Sequence, residues 1–244
     1  MIRKTIQTIS HYLNASIHGC EHPETMIEGV AIDSRKVEKN TLYIPMIGAR
    51  ADGHQFIADV MKSGAAASLW QKDHTPYPDY PLILVDDTLK ALQDLARAYM
   101  QDLNCLVIGV TGSNGKTSCK DMLYSVFSPV KKTQRTEGNH NNEIGLPLTV
   151  LDLDQDVEVA ILEMGMEGFD EISFLCSIAQ PDISIITTIG SAHMENLGSK
   201  KNIARAKCEI LQHTKPNGLF LYNKESSEID EVLKEIEVEP SIQL

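Results

Sequence analysis

Leu106-Val-Ile-Gly-Val-Thr-Gly-Ser-Asn-Gly-Lys-Thr117 is a run of apolar residues that breaks into a glycine-rich turn ending in Gly-Lys-Thr. The apolar run reads as a buried strand, and Lys116 onward as the first turns of a helix. A loop between the two presents backbone N–H groups and a helix N-terminus to one point in space, which suits a polyphosphate. Gly112, Ser113, Asn114, Gly115, Lys116, Thr117 and Ser118 are therefore the expected nucleotide contacts. Lys116 adds a mobile positive charge, and the Thr117 hydroxyl is of the kind that ligates Mg²⁺. The usual phosphate loop has a glycine five residues before the last one, where this chain has Val110. A chance glycine turn is the competing reading, and the strand on one side and helix on the other weigh against it.

Composition narrows the rest. A chain of 244 residues with 42% hydrophobic residues is long enough for one large or two ordinary domains. The net charge of −12 argues against nucleic acid or an anionic membrane as the main partner, since both require a basic face. The five cysteines, Cys20, Cys105, Cys119, Cys176 and Cys208, include no Cys-x-x-Cys pair. Neither a disulfide framework nor a zinc site follows, and reduced thiols are the simple reading. No signal peptide and no bilayer-spanning run is legible, so a soluble, cytoplasmic monomer without membrane insertion is expected.

The chain divides near Gln101 to Asn104, giving expected domains of residues 1–104 and 105–244. In the first, Ile27 to Ile32, Leu42 to Ile44, Ala66 to Trp70 and Leu82 to Val85 read as strands, and Phe56 to Lys62 and Leu89 to Met100 as helices. In the second, near-continuous apolar runs at Leu106 to Val110, Val157 to Leu162, Ile183 to Ile189 and Leu219 to Tyr222 alternate with helical segments. That is the pattern of a parallel sheet covered on both faces. The fold class is thus α/β: a small mixed α/β N-terminal domain followed by a P-loop-type parallel-sheet domain. Glu228 to Ile236 looks helical, and the tail after it shows no closing element, as though the chain stops inside a domain.

In parallel sheets ligands collect at the carboxyl ends of strands. Glu163 ends one such strand, where a Mg²⁺ ligand is expected, although a first solvated residue would look the same. His193 lies just past another. Asn202 to Gln212 has helical spacing that puts Lys207 inside an apolar stripe, with Arg205 and Glu209 pointing away. A lysine there must snorkel, find a partner or lose its charge. Gly138-Asn-His-Asn-Asn-Glu-Ile-Gly-Leu-Pro147, between two expected helical stretches, is dense in amides. It reads equally as turn chemistry or as a ligand loop. Asp33-Ser-Arg35 and Arg50-Ala-Asp-Gly-His54 are polar clusters and candidate anion contacts.

Taken together, Thr111 to Ser118, Thr136 to Thr149, Glu163-Met-Gly-Met166, Ile189-Gly-Ser-Ala-His193 and Ile203 to Ile210 resemble the ordered motifs of the Mur ligases, whose phosphate loop has this shorter form. The resemblance covers nearly the whole chain. It implies a three-domain parent enzyme of which this chain holds the UDP-sugar domain and part of the ATPase domain, with the C-terminal domain absent. It implies an ATP-dependent ligase of peptidoglycan synthesis, of the branch that joins D-alanyl-D-alanine to UDP-N-acetylmuramoyl-tripeptide through an acyl phosphate. By the same resemblance Lys116, Glu163, His193 and Lys207 are catalytic, and Thr117, Glu163, His193 and Lys207 ligate Mg²⁺, Lys207 as a carbamate. Ser34, Arg35, Asp52, Gly53, His54, Thr136, Asn139 and Asn142 face the substrate. The alternatives are another Mur-type ligase, a folylpolyglutamate synthetase-like enzyme or other P-loop enzyme, and a nucleotide-sugar binding module without catalysis. The chain by itself is expected to be inactive.

Overall fold

A computed structural model of the chain describes residues 1–48 and 51–243. Arg50, which opens the second polar cluster of the first domain, lies outside the described residues, as do Ala49 and Leu244. Two compact units are present: Met1–Asp102 with Val150–Gln155, and Leu103–Thr149 with Asp156–Leu244. No single break in the chain separates them. The short stretch at 150–155 belongs with the first unit, where the Ile2 N–H donates to Leu151 O at 2.7 Å and the Tyr99 hydroxyl to Leu153 O at 2.8 Å.

Unit 1 contains β1 (Arg3–Thr5), α1 (Ile6–Tyr12), β2 (Ser16–His18), β3 (Met26–Glu28), β4 (Val30–Ala31), β5 (Leu42–Tyr43), α2 (Ile57–Lys62), β6 (Ala67–Gln71), β7 (Leu82–Val85) and α3 (Thr88–Asp102). The strand expected over Ile27 to Ile32 is two strands. Gly29, at φ +91°, breaks it, so that β3 pairs antiparallel with β1 while β4 pairs parallel with β5. The main sheet runs β2-β7-β6-β5-β4, with only β2–β7 antiparallel. Its core gathers Tyr43, Ile57, Val60, Trp70, Leu82 and Leu84. The apolar stripe of α3 is buried at Leu92, Leu95, Ala96 and Tyr99.

Unit 2 contains β8 (Leu106–Thr111), α4 (Lys116–Phe127), β9 (Thr133–Arg135), α5 (Gly145–Asp152, whose last three residues belong to unit 1), β10 (Val159–Glu163), α6 (Glu171–Ala179), β11 (Ile183–Ile186), α7 (Met194–Leu197), α8 (Lys200–Cys208), β12 (Leu219–Tyr222) and α9 (Ser227–Leu233). Its sheet is wholly parallel in the order β12-β11-β8-β10-β9. The order reverses at β8, the strand that feeds the phosphate loop, and the crevice at such a reversal is where open α/β sheets bind ligands. Cys119, Leu123 and Phe127 along α4 pack on Ile108, Val110, Val159 and Ile161 of β8 and β10. The amide-rich segment follows strand β9, not the helix expected before it. Past α9, Gln243 bridges in parallel to Leu219 at the sheet edge. Among the described residues no helix is long and apolar enough to cross a membrane, and all five cysteines are free thiols.

Candidate functional site

The parallel register aligns three strand ends. Glu163 of β10 stands opposite Val110 of β8, and Ile186 of β11 opposite Thr111. The loop leaving β8 therefore lies between the segments leaving β10 and β11. Gly112 adopts φ +149°, and a Cβ there would sit 1.9 Å from Thr187 Oγ1, so backbone and β11 exit touch too closely for any side chain. Gly115, at φ +80°, is the N-cap of α4. The N–H groups of Ser113 and Asn114 donate to Thr188, to its carbonyl at 2.8 Å and its hydroxyl at 3.2 Å. These two amides thus brace the loop rather than open into it. The free donors come from the first turn of α4, where N–H groups lack intrahelical partners. Lys116 Nζ folds back on Gly112 O at 2.9 Å, and the Ser113 hydroxyl oxygen is buried without a partner.

Glu163 is buried, and both of its carboxylate oxygens are engaged. The Thr117 hydroxyl donates to Oε2 at 3.0 Å and the Asn141 amide to Oε1 at 2.9 Å. The Thr136 hydroxyl accepts the Glu163 backbone N–H at 2.9 Å. Thr136, expected to face the substrate, has no exposed surface, and its hydroxyl holds the strand end. Asn141 escaped the sequence reading, which singled out Asn139 and Asn142. Only its amide reaches the carboxylate, and nothing in a run of four amide-rich residues marks which one will.

A cleft of about 770 Å³ in this unit is lined by Lys116, Asn139, Asn141, Asn142, Glu143, Gly165, Met166, Glu167, Phe169, Asp170, Glu171, Phe174, Leu175, His193 and Lys207. Asn142 also serves the backbone, its Oδ1 accepting the N–H of Gly145 at 2.9 Å. His193 sits at the start of α7 with φ +63° and makes no capping bond with its side chain. Lys207 is 2% exposed. Desolvation first, and the neighbouring Lys116 charge second, bring its ammonium down to about 8. Among the described residues no hydrogen bond or ion pair joins Lys207 to another side chain. It borders the cleft with almost no exposed surface, so its charge is largely withdrawn from water. Glu209 does not point away with Arg205. It is buried, and its oxygens accept the N–H groups of Asp170 and Ser173.

In unit 1 the two polar clusters share one local device. Asp33 caps the 3₁₀ turn Ser34–Lys36 by accepting the Arg35 N–H at 3.0 Å, and Asp52 caps Gly53–Phe56 by accepting the His54 N–H at 2.9 Å. The Arg35 guanidinium pairs through two nitrogens with Asp33, holding that carboxyl at about 2. Gly53 is buried, and a Cβ on it would lie 2.8 Å from Met46 N. His54 is buried too, with Nδ1 2.6 Å from Asp52 Oδ1 and Nε2 accepting the Gln71 N–H at 3.4 Å. Both residues, expected to face the substrate, are buried and shape the turn from inside. Ser34, Arg35 and Asp52 keep solvent-facing surface.

Asp52, His54 and His74 bring three donor atoms within 4.8 Å of one another. A shared metal ion does not fit them. The imidazoles are stacked, centroids 4.0 Å apart and planes at 18°, and each lone pair lies in its own ring plane, so two stacked rings cannot both aim at one ion. The second ring nitrogen of His54 also faces an N–H donor, where a ligating histidine requires an acceptor. The cluster holds protons instead. Burial lowers His54 against the pull of Asp52, while Asp73 and then Asp52 raise His74.

A phosphate loop at the reversal point of a parallel sheet, with a buried carboxylate at the next strand end, defines a P-loop-type nucleotide-binding unit. The Mur ligase middle domain matches residues 110–243, and the Mur ligase family catalytic domain matches residues 26–100. The chain belongs to the Mur ligase family. It is 46% identical over 91% of its length to the UDP-N-acetylmuramoyl-tripeptide–D-alanyl-D-alanine ligase of Bacillus subtilis (strain 168), and 32% identical over 93% to that of Escherichia coli (strain K12). The match covers 49% of each of those proteins, so the chain spans about half their length. A crystal structure of MurF from Acinetobacter baumannii covers the whole chain at a TM-score of 0.88 and 31% identity, and 53% of that chain is matched. MurF ligase from Thermotoga maritima in complex with ADP covers 88% of this chain and 49% of its own at a TM-score of 0.78 and 30% identity.

Proposed function

We propose that this chain is the nucleotide-sugar and phosphoryl-transfer portion of an ATP-dependent ligase that joins D-alanyl-D-alanine to UDP-N-acetylmuramoyl-tripeptide in peptidoglycan synthesis. In this reading unit 1 takes the UDP-sugar, through Ser34, Arg35 and Asp52, and unit 2 takes ATP. Phosphoryl transfer to the peptide carboxylate is a problem of position and charge. The first turn of α4 and Lys116 hold the phosphates, and the cleft places the carboxylate beside them. The acyl phosphate that forms is attacked by the amine of D-alanyl-D-alanine, and phosphate leaves.

The observation that carries the reading is Lys207, a buried amine without a partner beside Lys116 in the same cleft. As a cation it would oppose any metal there. An amine brought down to about 8 is about one-tenth neutral at pH 7, far more than an ordinary lysine, and that fraction adds CO₂ to give a carbamate and release one proton. The donors then become suitable for Mg²⁺: the Thr117 hydroxyl with the Glu163 carboxylate, and His193 with the Lys207 carbamate. Mg²⁺, when bound, neutralises charge on the phosphates.

The test is phosphate release by the full-length protein with ATP, UDP-N-acetylmuramoyl-tripeptide and D-alanyl-D-alanine. Release that depends on all three, and falls at least a hundredfold in both Lys207→Ala and Lys207→Arg, supports the reading. Full activity in Lys207→Arg rejects the carbamate, because guanidinium remains cationic.

A further inference from the structure

The first turn of α6 is capped from a distance. Asp170 occupies the N-cap, where an aspartate ordinarily accepts an N–H of the first turn. Here its backbone is left-handed, φ +67°, and its side chain makes no capping bond. Glu209, which follows α8 directly, takes over both roles. Its Oε1 accepts the Asp170 N–H at 2.9 Å and its Oε2 the Ser173 N–H at 3.2 Å. A third bond runs alongside, from the Ser173 hydroxyl to Gln212 Oε1 at 2.7 Å. A buried carboxylate is an expensive cap, tolerated only where its hydrogen bonds are made. A surface serine would have served a helix that needed only to be stable.

What the clamp holds is the cleft wall. Phe169, Glu171, Phe174 and Leu175 of this segment line the cleft together with Lys207, which lies two residues before Glu209 on the same run of chain. Glu171 carries the restraint onward, its Oε2 accepting the Glu167 N–H at 2.9 Å. The Glu167 carbonyl in turn accepts the Asn196 amide of α7 at 3.0 Å. One carboxylate thus ties the lysine-bearing helix to the wall and, through the wall, to the helix that begins after His193.

We propose that Glu209 is a positioning residue of the ligase, holding the α6 wall of the cleft in register for the acyl donor. The inference rests on the ligase reading above. The nucleotide phosphates are held by α4 and Lys116, so the wall that Glu209 controls borders the peptide carboxylate that must meet them. Disturbing it loosens that wall without touching the phosphate loop or the first turn of α4, on which the nucleotide rests.

The test uses the full-length protein with Glu209→Gln and Glu209→Asp. Glutamine keeps one acceptor and turns an N–H₂ toward a backbone N–H. Aspartate keeps both oxygens on a shorter arm. The expected result is a KM for UDP-N-acetylmuramoyl-tripeptide about tenfold higher in Glu209→Gln, the equivalent of one charge-assisted hydrogen bond. Glu209→Asp should lie between it and the wild type. The KM for ATP should stay within about twofold. A purely structural role lowers the active fraction, hence kcat, and moves neither KM. Unchanged KM values, or an equal rise in both, overturn the inference while ligation by the wild type leaves the ligase reading standing. A wild type that does not ligate overturns both.

Discussion

Replacing Lys207 with methionine should make the chain more stable at neutral pH, not less. The lysine is 2% exposed and has no partner, and its ammonium loses protons at about 8 instead of 10.5. The folded state therefore binds fewer protons than the unfolded state between those values, and stability rises with pH across that window. Below it the folded chain carries the full cost of a buried charge. At about 1.4 kcal/mol per tenfold change in proton affinity, the ceiling is about 3 kcal/mol. Methionine has similar length and no charge to desolvate, and buried charges replaced by apolar groups often leave a protein more stable. The assay is urea unfolding of this chain and of Lys207→Met from pH 6 to 11, in metal-free buffer purged of CO₂ so that the lysine remains an amine. The variant should lead by roughly 2–3 kcal/mol at pH 7, with the lead shrinking above pH 8 and gone near 10.5. A variant equal to or weaker than wild type at pH 7 would refute the reasoning and return Lys207 to the class of satisfied structural lysines.

Gly112→Ala should abolish ADP binding by this chain in calorimetry, because its Cβ lies 1.9 Å from Thr187 Oγ1 at a φ of +149°; a folded variant that binds ADP normally would contradict the close approach. His74, raised by Asp73 first and Asp52 second, contributes stability that is fully present below its unfolded value and lost as pH rises through the raised folded one. Thermal unfolding of His74→Asn should therefore fall furthest below wild type at the acid end of pH 5–8, and a gap that widens toward pH 8 would reverse the sign. Unit 1 should bind UDP-N-acetylmuramoyl-tripeptide without ATP, and an absence of heat in calorimetry of the folded chain would remove the nucleotide-sugar role from Ser34, Arg35 and Asp52.

The parts of the fold that were legible are those written in contiguous residues. Strand, glycine turn and helix at Leu106–Lys116 are local, so the phosphate loop is readable before any contact is known, and the apolar runs of β10 and β12 fall close to where expected, while β11 stops at Ile186, short of the run expected to reach Ile189. Among the elements that escaped are β1, α1, β2, β9 and α7. Each of these strands is three residues long, too short for alternation to be distinguished from chance, and Thr-Gln-Arg in β9 carries no apolar run at all. Gly29 was hidden for a different reason. A single positive φ redirected the chain between two sheets inside what reads as one strand.

The site was legible in its charges and illegible in its partnerships. Lys207 stands out because an amine in an apolar stripe is a local contradiction, and contradictions of that kind gather at functional sites. Thr136, Gly53 and His54 carry motif residues whose side chains or backbones face inward, and only the packed structure separates a residue that touches a ligand from one that shapes the turn beside it. Glu209 is the sharpest case. Its spacing on the helix assigns it to solvent, yet α8 gives way to a 3₁₀ turn at that residue and α6 lies against the turn, its first amides donating to the carboxylate. A pattern of period 3.6 cannot register a change of helix type. That is why a carboxylate two residues from the most conspicuous lysine in the chain read as a surface group, while in the folded protein it holds the wall that the lysine faces.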